Sequence, residues 1–289
     1  METEKAKRPQ MRVAVACRVL GVSRSGFYGW RQRRGCPGPR HRANEQLLAQ
    51  IRAVHADFPS YGSPRVHQEL RRREHCAGRN RVARLMRNAG LQARRGRTRY
   101  RPRSAPPRRR PEIVDLVRRD FGTEGPNKLW CIDITQIRTQ RGWLFAAVMI
   151  DAFSRKVISW ATNDRHTNEL PIEALAMATA ARQPTPGGIV HSDRGYQFTS
   201  RAWLSTVEHA GMHPSMGNVG SALDNALIES WFSSFKNEAI YPNDTPPDRT
   251  SARRALVRHI DFHNRQRLHS AIGYNTPNDH ENNHINMSA

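Results

Sequence analysis

Apolar residues recur at helical spacing over the first third of the chain and at strand spacing beyond it. Val13, Ala16, Cys17 and Leu20 share one helical face, and Gly21 stops that helix. Ser23 is placed to cap the next helix from about Arg24, with Phe27 and Trp30 turned inward. Residues 12–34 thus predict one helix-turn-helix. Leu47, Leu48, Ile51 and Val54 mark a further helix, and Ser63-Pro64 opens another, as a capped start with proline in the first turn, that buries Val66 and Leu70. Gly78 then leads into Arg79–Arg87, with Val82, Leu85 and Met86 inward, Arg79, Arg81, Arg84 and Arg87 outward, and Gly90 as the C-terminal stop. An arginine-faced helix after a turn suits the major groove, with donors for guanine edges and phosphates.

From Leu129 the pattern changes. Leu129–Ile137, Leu144–Asp151 and Val157–Ala161 read as three strands in succession, with a hairpin turn at Arg141-Gly142. A helix over Glu169–Arg182, a strand over Ile189–Asp193, a helix from Ser200 to Ala210, a short strand Met212–Met216 and a small polar loop over 218–223 follow. Ala226–Lys236 has helical periodicity, and Arg249–Arg265 is a basic amphipathic helix with Ala255, Leu256, His259, Ile260 and Phe262 as inward candidates. The order β-β-β-α-β-α-β-α predicts an α/β, ribonuclease-H-like core with a mixed five-stranded sheet. The expected divisions are helix-turn-helix modules at 1–40 and 41–93, a linker at 94–111, a core at 112–240, a C-terminal helix and extension at 241–278, and an unfolded polar tail at 279–289.

Charge sharpens this division. Residues 1–110 carry 29 Lys and Arg against 6 acids, whereas residues 111–289 carry 18 against 19. A basic front half on a near-neutral back half points to a nucleic-acid grip joined to something else. Arg94–Pro111, with nine Arg, four Pro and no acid, cannot bury a core and is expected to lie along phosphates, with Arg97 and Arg99 among its contacts. Cys17, Cys36, Cys76 and Cys131 form no Cys-x-x-Cys pair, which argues against a zinc set and for reduced thiols inside a cell. The longest apolar run, Trp143–Ile150, is too short for a bilayer and reads as a buried strand.

Three acids carry the candidate chemistry. Asp133 lies midway along the first strand, Asp193 ends another, and Glu229 follows on a helix, with 35 residues between it and Asp193. An acid in an amphipathic helix is most often a solvated surface charge. Here the strand alternation sets Cys131, Asp133 and Thr135 on one face and Trp130, Ile132 and Ile134 on the other. Neighbouring carboxylates raise each other's energy, and a hard divalent cation relieves this. Leu227, Trp231, Phe235, Ile228 and Phe232 make the buried stripe of the last helix, so Asn225, Glu229 and Lys236 share another face, with Lys236 two turns on, toward a phosphate. Converging carboxylates of this kind suit two Mg²⁺ or Mn²⁺ ions and an in-line attack on a DNA phosphodiester. Asp151 competes for a catalytic role but reads as a structural partner of Arg155. His191, Arg194 and Gln197 are weaker candidates for contacting a DNA terminus, and His191 serves equally as a core-edge imidazole.

Several stretches together are similar to the transposases of bacterial insertion sequences of the IS-three family, OrfB part, over nearly the whole chain. They are Tyr61–Arg65, Asn127–Thr135, Ile150–Arg155, His191–Gly195, Asp224–Phe232 and Phe262–Ser270. Retroviral integrases resemble it more distantly. The resemblance implies that Asp133, Asp193 and Glu229 bind Mg²⁺ as the catalytic triad, and that Lys236 contacts DNA. It further implies recognition of terminal inverted repeats, nicking there and transfer of the 3′-hydroxyl to target DNA, by a homo-oligomer on DNA in the bacterial cytoplasm, associated with the nucleoid. Arg24, Arg79, Arg81 and Arg84 are the expected duplex contacts of the helical modules. Family members are commonly frameshift fusions with an upstream helix-turn-helix and leucine zipper; no heptad run occurs here, so a partner or fusion from the upstream frame is expected. A non-enzymatic sequence-specific DNA-binding regulator with a structural core, and a ribonuclease-H-like nuclease for branched or hybrid substrates, are the alternatives.

Overall fold

Eleven residues, Leu129–Thr139, form the strand (β1) around which the second part of the chain is organised. The computed structural model describes residues 13–35, 38–94, 113–184, 186–217 and 225–288. They belong to two units, Met1–Ala93 and Arg94–Ala289. The expected linker beyond Arg94, with Arg97 and Arg99, as well as Cys36 and the polar loop at 218–223, falls outside the described residues.

In the first unit, α1 (Val13–Val19) and α2 (Arg24–Gly35) pack through Ala16, Cys17 and Phe27. Ser23 caps as expected, its Oγ accepting the Gly26 N–H at 3.0 Å. Leu20 and Trp30, expected inside, are exposed; the pair is too short to cover all six expected apolar positions, and Trp30 instead stacks along Phe27. Next come α3 (Pro39–Asp57), α4 (Ser63–Arg72) and α5 (Arg79–Asn88), which bury Leu47, Ile51, Val54, Val66, Leu70, Val82, Leu85 and Met86 against one another. The Ser63 hydroxyl does not cap α4. Gly62 occupies the cap position, and its carbonyl accepts the Val66 N–H at 3.0 Å. Gly90 takes the left-handed conformation that ends α5.

In the second unit, β1 is followed by β2 (Gly142–Asp151), β3 (Val157–Asn163), α6 (Glu169–Arg182), β4 (Ile189–Ser192), α7 (Arg201–His209), β5 (His213–Met216) and α8 (Ala226–Phe235). The five strands are ordered β3-β2-β1-β4-β5. β1 runs antiparallel to β2 and parallel to β4. Because β1 is covered on both faces, it is apolar on both. Trp130 and Ile132 join the core beneath α6 and α7. Cys131 and Ile137 join the core beneath α8 and α9 (Arg249–Arg265). Burial pushes the Cys131 thiol up to about 12, so it is inert. Gly142 has the positive φ that the expected hairpin turn requires, and the Thr139 hydroxyl donates to its carbonyl at 2.7 Å.

Two expectations for the C-terminal part need correction. α9 is not an appendage to a core ending near residue 240: Ala252, Leu256 and Ile260 lie in the same apolar cluster as β1, β2 and α8. The tail at 279–289 is helical over most of its length, since α10 spans Pro277–Ser288. Its polar composition hid the reason, which is one buried carboxylate. Glu281, 4% exposed, accepts from Ser154 Oγ at 2.8 Å, Lys156 Nζ at 2.9 Å and Arg182 Nη1 at 3.0 Å. Asp151 belongs to the same knot. It accepts the N–H groups of Asn127 (2.6 Å), Phe153 (2.9 Å) and Ser154 (3.2 Å), and its charge partner is Arg182 at 3.8 Å rather than the expected Arg155.

Burial alone would raise the Glu281 carboxyl; the hydrogen bonds from Arg182 and Lys156 outweigh it and hold the group below the ordinary range. Its contribution to stability is therefore complete above the unfolded value of about 4.3 and is lost as pH falls through the lower folded value. Glu281→Ala leaves the buried Arg182 with only the longer Asp151 contact at 3.8 Å and is expected to cost roughly 3–5 kcal/mol in urea unfolding at pH 7. The exposed Lys128–Glu124 pair is the comparison: Glu124→Gln should leave the midpoint unchanged.

Candidate active site

β4 pairs with only the first three residues of β1, Leu129–Cys131 against Ile189–His191. Beyond Cys131 that edge of β1 is uncovered. The same register, continued two residues, sets Asp133 beside Asp193, which lies just past the last residue of β4. Sheet geometry thus forces two carboxylates together at the point where pairing stops. α8 lies over the Cys131 face of the sheet, anchored by Leu227, Ile228, Trp231, Phe232 and Phe235. Its first turn carries Glu229, exposed toward a groove of about 720 Å³ that Asp133 and Lys236 also line.

The three carboxylates feel one another. The Asp133 carboxyl is held well above the ordinary aspartate range, first by burial, then by the Asp193 charge, and further by Glu229; the Ile134 N–H and the Lys236 ammonium pull the other way. Glu229 is also raised, by burial and then by Asp193. Yet the trio is not drawn onto one point. Among the described residues no group of three His, Cys, Asp or Glu side chains is close enough to hold a metal ion. Like charges repel, and two of the carboxylates turn to nearby amides: Asp133 accepts the Ile134 N–H at 2.6 Å and Asp193 the Gly195 N–H at 2.8 Å. The donor set still suits a hard divalent cation, being three carboxylates, two of them energetically penalised when charged.

α8 runs into a π-helical turn, Lys236–Ile240, which widens the helix where Lys236 projects into the groove. Sequence reasoning missed what fixes this turn. Arg267, buried, donates through Nε to Glu238 Oε2 at 3.0 Å and through Nη2 to Glu238 Oε1 at 2.6 Å and Ser234 Oγ at 3.1 Å. Arg267 thus ties the residues two before and two after Lys236 to the segment following α9. The signal was present in the Phe262–Ser270 stretch, though not its meaning. His166 was also missed; its imidazole, lowered by burial and raised less by the Asp193 charge, bonds Gln197 and stacks on Phe145.

Several expected DNA contacts are committed elsewhere. His191 is fully buried and bonds the Ser215 hydroxyl at 2.9 Å through Nδ1, the core role left open for it. Arg194 donates to the carbonyls of Gly217 (2.7 Å) and Ile113 (2.9 Å), and Gln197 is buried against His166. Asn225 is buried at the start of α8, its amide without a hydrogen-bond partner among the described residues. In the first unit, Arg24, Arg79 and Arg84 are exposed, whereas Arg81 donates to Asn44 Oδ1 at 2.9 Å.

Fold and site define an integrase-type catalytic core behind helical DNA-binding modules. Family models agree: an integrase core domain matches residues 123–222, a second integrase core domain 210–277, and an HTH-like domain 42–99. Transposase InsF for insertion sequence IS3A of Escherichia coli K12 is 35% identical over 94% of this chain and 95% of its own. An uncharacterised 31 kDa protein of insertion element IS600 of Shigella sonnei is 34% identical over 90% and 95%. The HTLV-2 integrase catalytic core in complex with magnesium overlaps 53% of this chain and 95% of its own at 18% identity and a TM-score of 0.41, too weak to add to the assignment. The chain belongs to the IS3 family of insertion-sequence transposases, enzymes of the polynucleotidyl-transferase class with a ribonuclease-H-like core. Among the described residues no helix is long and apolar enough to cross a membrane.

Behind α8, His259 and His263 are buried against Trp231. Burial lowers His259 to about 4 and holds His263 well below its ordinary range, with His269 and Arg267 nearby also lowering His263 and Glu238 raising His259. Both imidazoles are therefore neutral in the fold, and their protonation in the unfolded chain below about 6.5 draws the equilibrium away from it. Stability should fall between pH 6.5 and 4. In His259→Leu the slope of unfolding free energy against pH should be shallower by about one proton; an unchanged slope would place the imidazole in solvent.

Proposed function

We propose that Asp133, Asp193 and Glu229 are the reaction centre at which this transposase nicks DNA at the element's terminal inverted repeats and joins the freed 3′-hydroxyl to a target strand. The observation that carries this reading is the β1–β4 register, which sets Asp133 beside Asp193 at the uncovered edge of β1 while Glu229 and Lys236 face the adjoining groove. Two Mg²⁺ or Mn²⁺ ions bound by the three acids would supply charge neutralisation at the phosphate and activation of the attacking hydroxyl.

The chain's own residues do the rest. The three carboxylates would hold the cations, once Asp133 and Asp193 are released from the amides they now accept from. Lys236 places its ammonium against a phosphate, and the Arg267–Glu238 pair keeps it there. Phe232 and Ile240 give the groove an apolar lining that limits water at the phosphate. Residues 1–40 and 41–93 grip duplex DNA, with Arg24, Arg79 and Arg84 on phosphates or base edges, and residues 94–111, including Arg97 and Arg99, follow the backbone. Two DNA ends require two such centres, so the working form is a homo-oligomer on DNA in the bacterial cytoplasm, on the nucleoid, with or without a partner or fusion from the upstream frame.

The test is nicking of a linear duplex that carries the element's own ends, with Mg²⁺ or Mn²⁺. Asp133→Asn, Asp193→Asn and Glu229→Gln should each lower the rate by about 10³-fold or more with duplex binding intact. Lys236→Ala should weaken binding and reduce the slope of log affinity against log salt by about 1. Strand nicking that survives Asp133→Asn or Glu229→Gln would place the chemistry elsewhere.

A further inference from the structure

Of the three acids, Asp193 is the one outside a helix or strand. β4 ends at Ser192, whose partner in β5 is Met216, so Asp193 lies past the ladder. Its carboxylate accepts the Gly195 N–H at 2.8 Å, a bond inside the turn that follows. Such a bond orients the acid only as firmly as the turn itself is held. What fixes the turn therefore fixes the acid.

Two fastenings of that turn are plain. Phe198 is buried edge-on against Trp203, with ring centroids 5.4 Å apart, and Arg194 grips the carbonyls of Gly217 and Ile113. A third comes from His166, in the loop between β3 and α6. This residue is exposed, yet three contacts hold it. Its ring stacks on Phe145 of β2 at 5.1 Å and 10°. The Gln197 side-chain amide donates to its Nε2. Its carbonyl accepts from the Tyr196 hydroxyl at 2.7 Å, and the Tyr196 ring meets the imidazole edge to face at 5.6 Å.

An exposed histidine among aromatic rings is often mere surface packing. Gln197 argues for more, because it is 2% exposed and a buried amide needs its partner. The turn also has no slack. A Cβ on Gly195 would lie 2.9 Å from Asp193 Oδ1 and 3.2 Å from Gln197 Oε1, so the carboxylate and the amide are packed against the same glycine. The Asp193 charge reaches the imidazole. Phe145 packs on the α6 side of the sheet, so His166 comes from the face opposite α8 and stands outside the groove lined by Asp133, Glu229 and Lys236. We infer that His166 is a positioning residue: braced on Phe145 and bonded to Gln197, it holds the turn that carries Asp193, so that this carboxylate can share a cation with Asp133. This rests on the acids being the reaction centre, and it names what holds the acid that the sheet does not.

The test is calorimetric titration of the full-length protein with Mn²⁺, without DNA. His166→Ala should weaken Mn²⁺ binding by about tenfold, as loss of a group that orients a metal ligand does. His166→Gln, whose amide oxygen can accept from Gln197, should restore most of it, and His166→Phe, which keeps the stack alone, should not. Gln197→Met should weaken binding similarly, and the double variant His166→Ala with Gln197→Met should bind no worse than either single one. In His166→Ala, amide hydrogen exchange should quicken in the peptide spanning 193–199 and stay unchanged in β1, with the urea midpoint unmoved. Wild-type Mn²⁺ affinity in both His166→Ala and Gln197→Met, with Asp193→Asn impaired, would overturn the inference. So would a loss that His166→Gln does not restore, or one accompanied by faster exchange in β1, since either marks general loosening. If Asp193→Asn itself binds Mn²⁺ as the wild type does, the assignment of the reaction centre fails, and the inference with it.

Discussion

Electrostatic repulsion among Asp133, Asp193 and Glu229 is the constraint from which the catalytic unit is best understood. Carboxylates avoid such company unless the fold leaves them no choice. Here a five-stranded sheet fixes the first two by register, and a helix held by five apolar anchors fixes the third. Burial first, and that repulsion after it, raise the carboxyls of Asp133 and Glu229. A divalent cation relieves the repulsion, so the same geometry that destabilises the unbound site favours the bound one.

Two buried ion-pair clusters tie together segments of the same unit. The Glu281 knot ties α10 to Ser154, Lys156 and Arg182, around the turn that follows β2. Arg267 clamps the π turn at Lys236 from the other side. Both are buried ion pairs, whose worth lies less in net stability than in the high cost of breaking them. They fix orientation, which is what a site of like charges needs.

The sequence reveals the sheet and the acids well, because both leave periodic signals. Strand alternation places Asp133 opposite Ile132 and Ile134, and the β-β-β-α-β-α-β-α order fixes the central strand. Long-range polar pairing leaves no such trace. Nothing local marks Arg182 as the partner of Asp151, or Glu281 as buried, so residues 279–289 read as an unfolded tail. His191 and Arg194 lie within a short stretch around Asp193 and look like site residues. Only the packing reveals that Ser215 and two backbone carbonyls occupy them. Trp143 misled in the opposite sense: its apolar run suggests burial, but the hairpin lifts it clear of both cores.

The most direct measurement is Mn²⁺ binding to the full-length protein, followed by electron paramagnetic resonance without DNA and without turnover. The account requires saturable binding by the wild type that weakens in each of Asp133→Asn, Asp193→Asn and Glu229→Gln, and weakens most for Asp133, whose carboxyl feels the charges of both others. Binding that is unchanged in all three variants would show that the acids do not share a cation, and would contradict the account at its base.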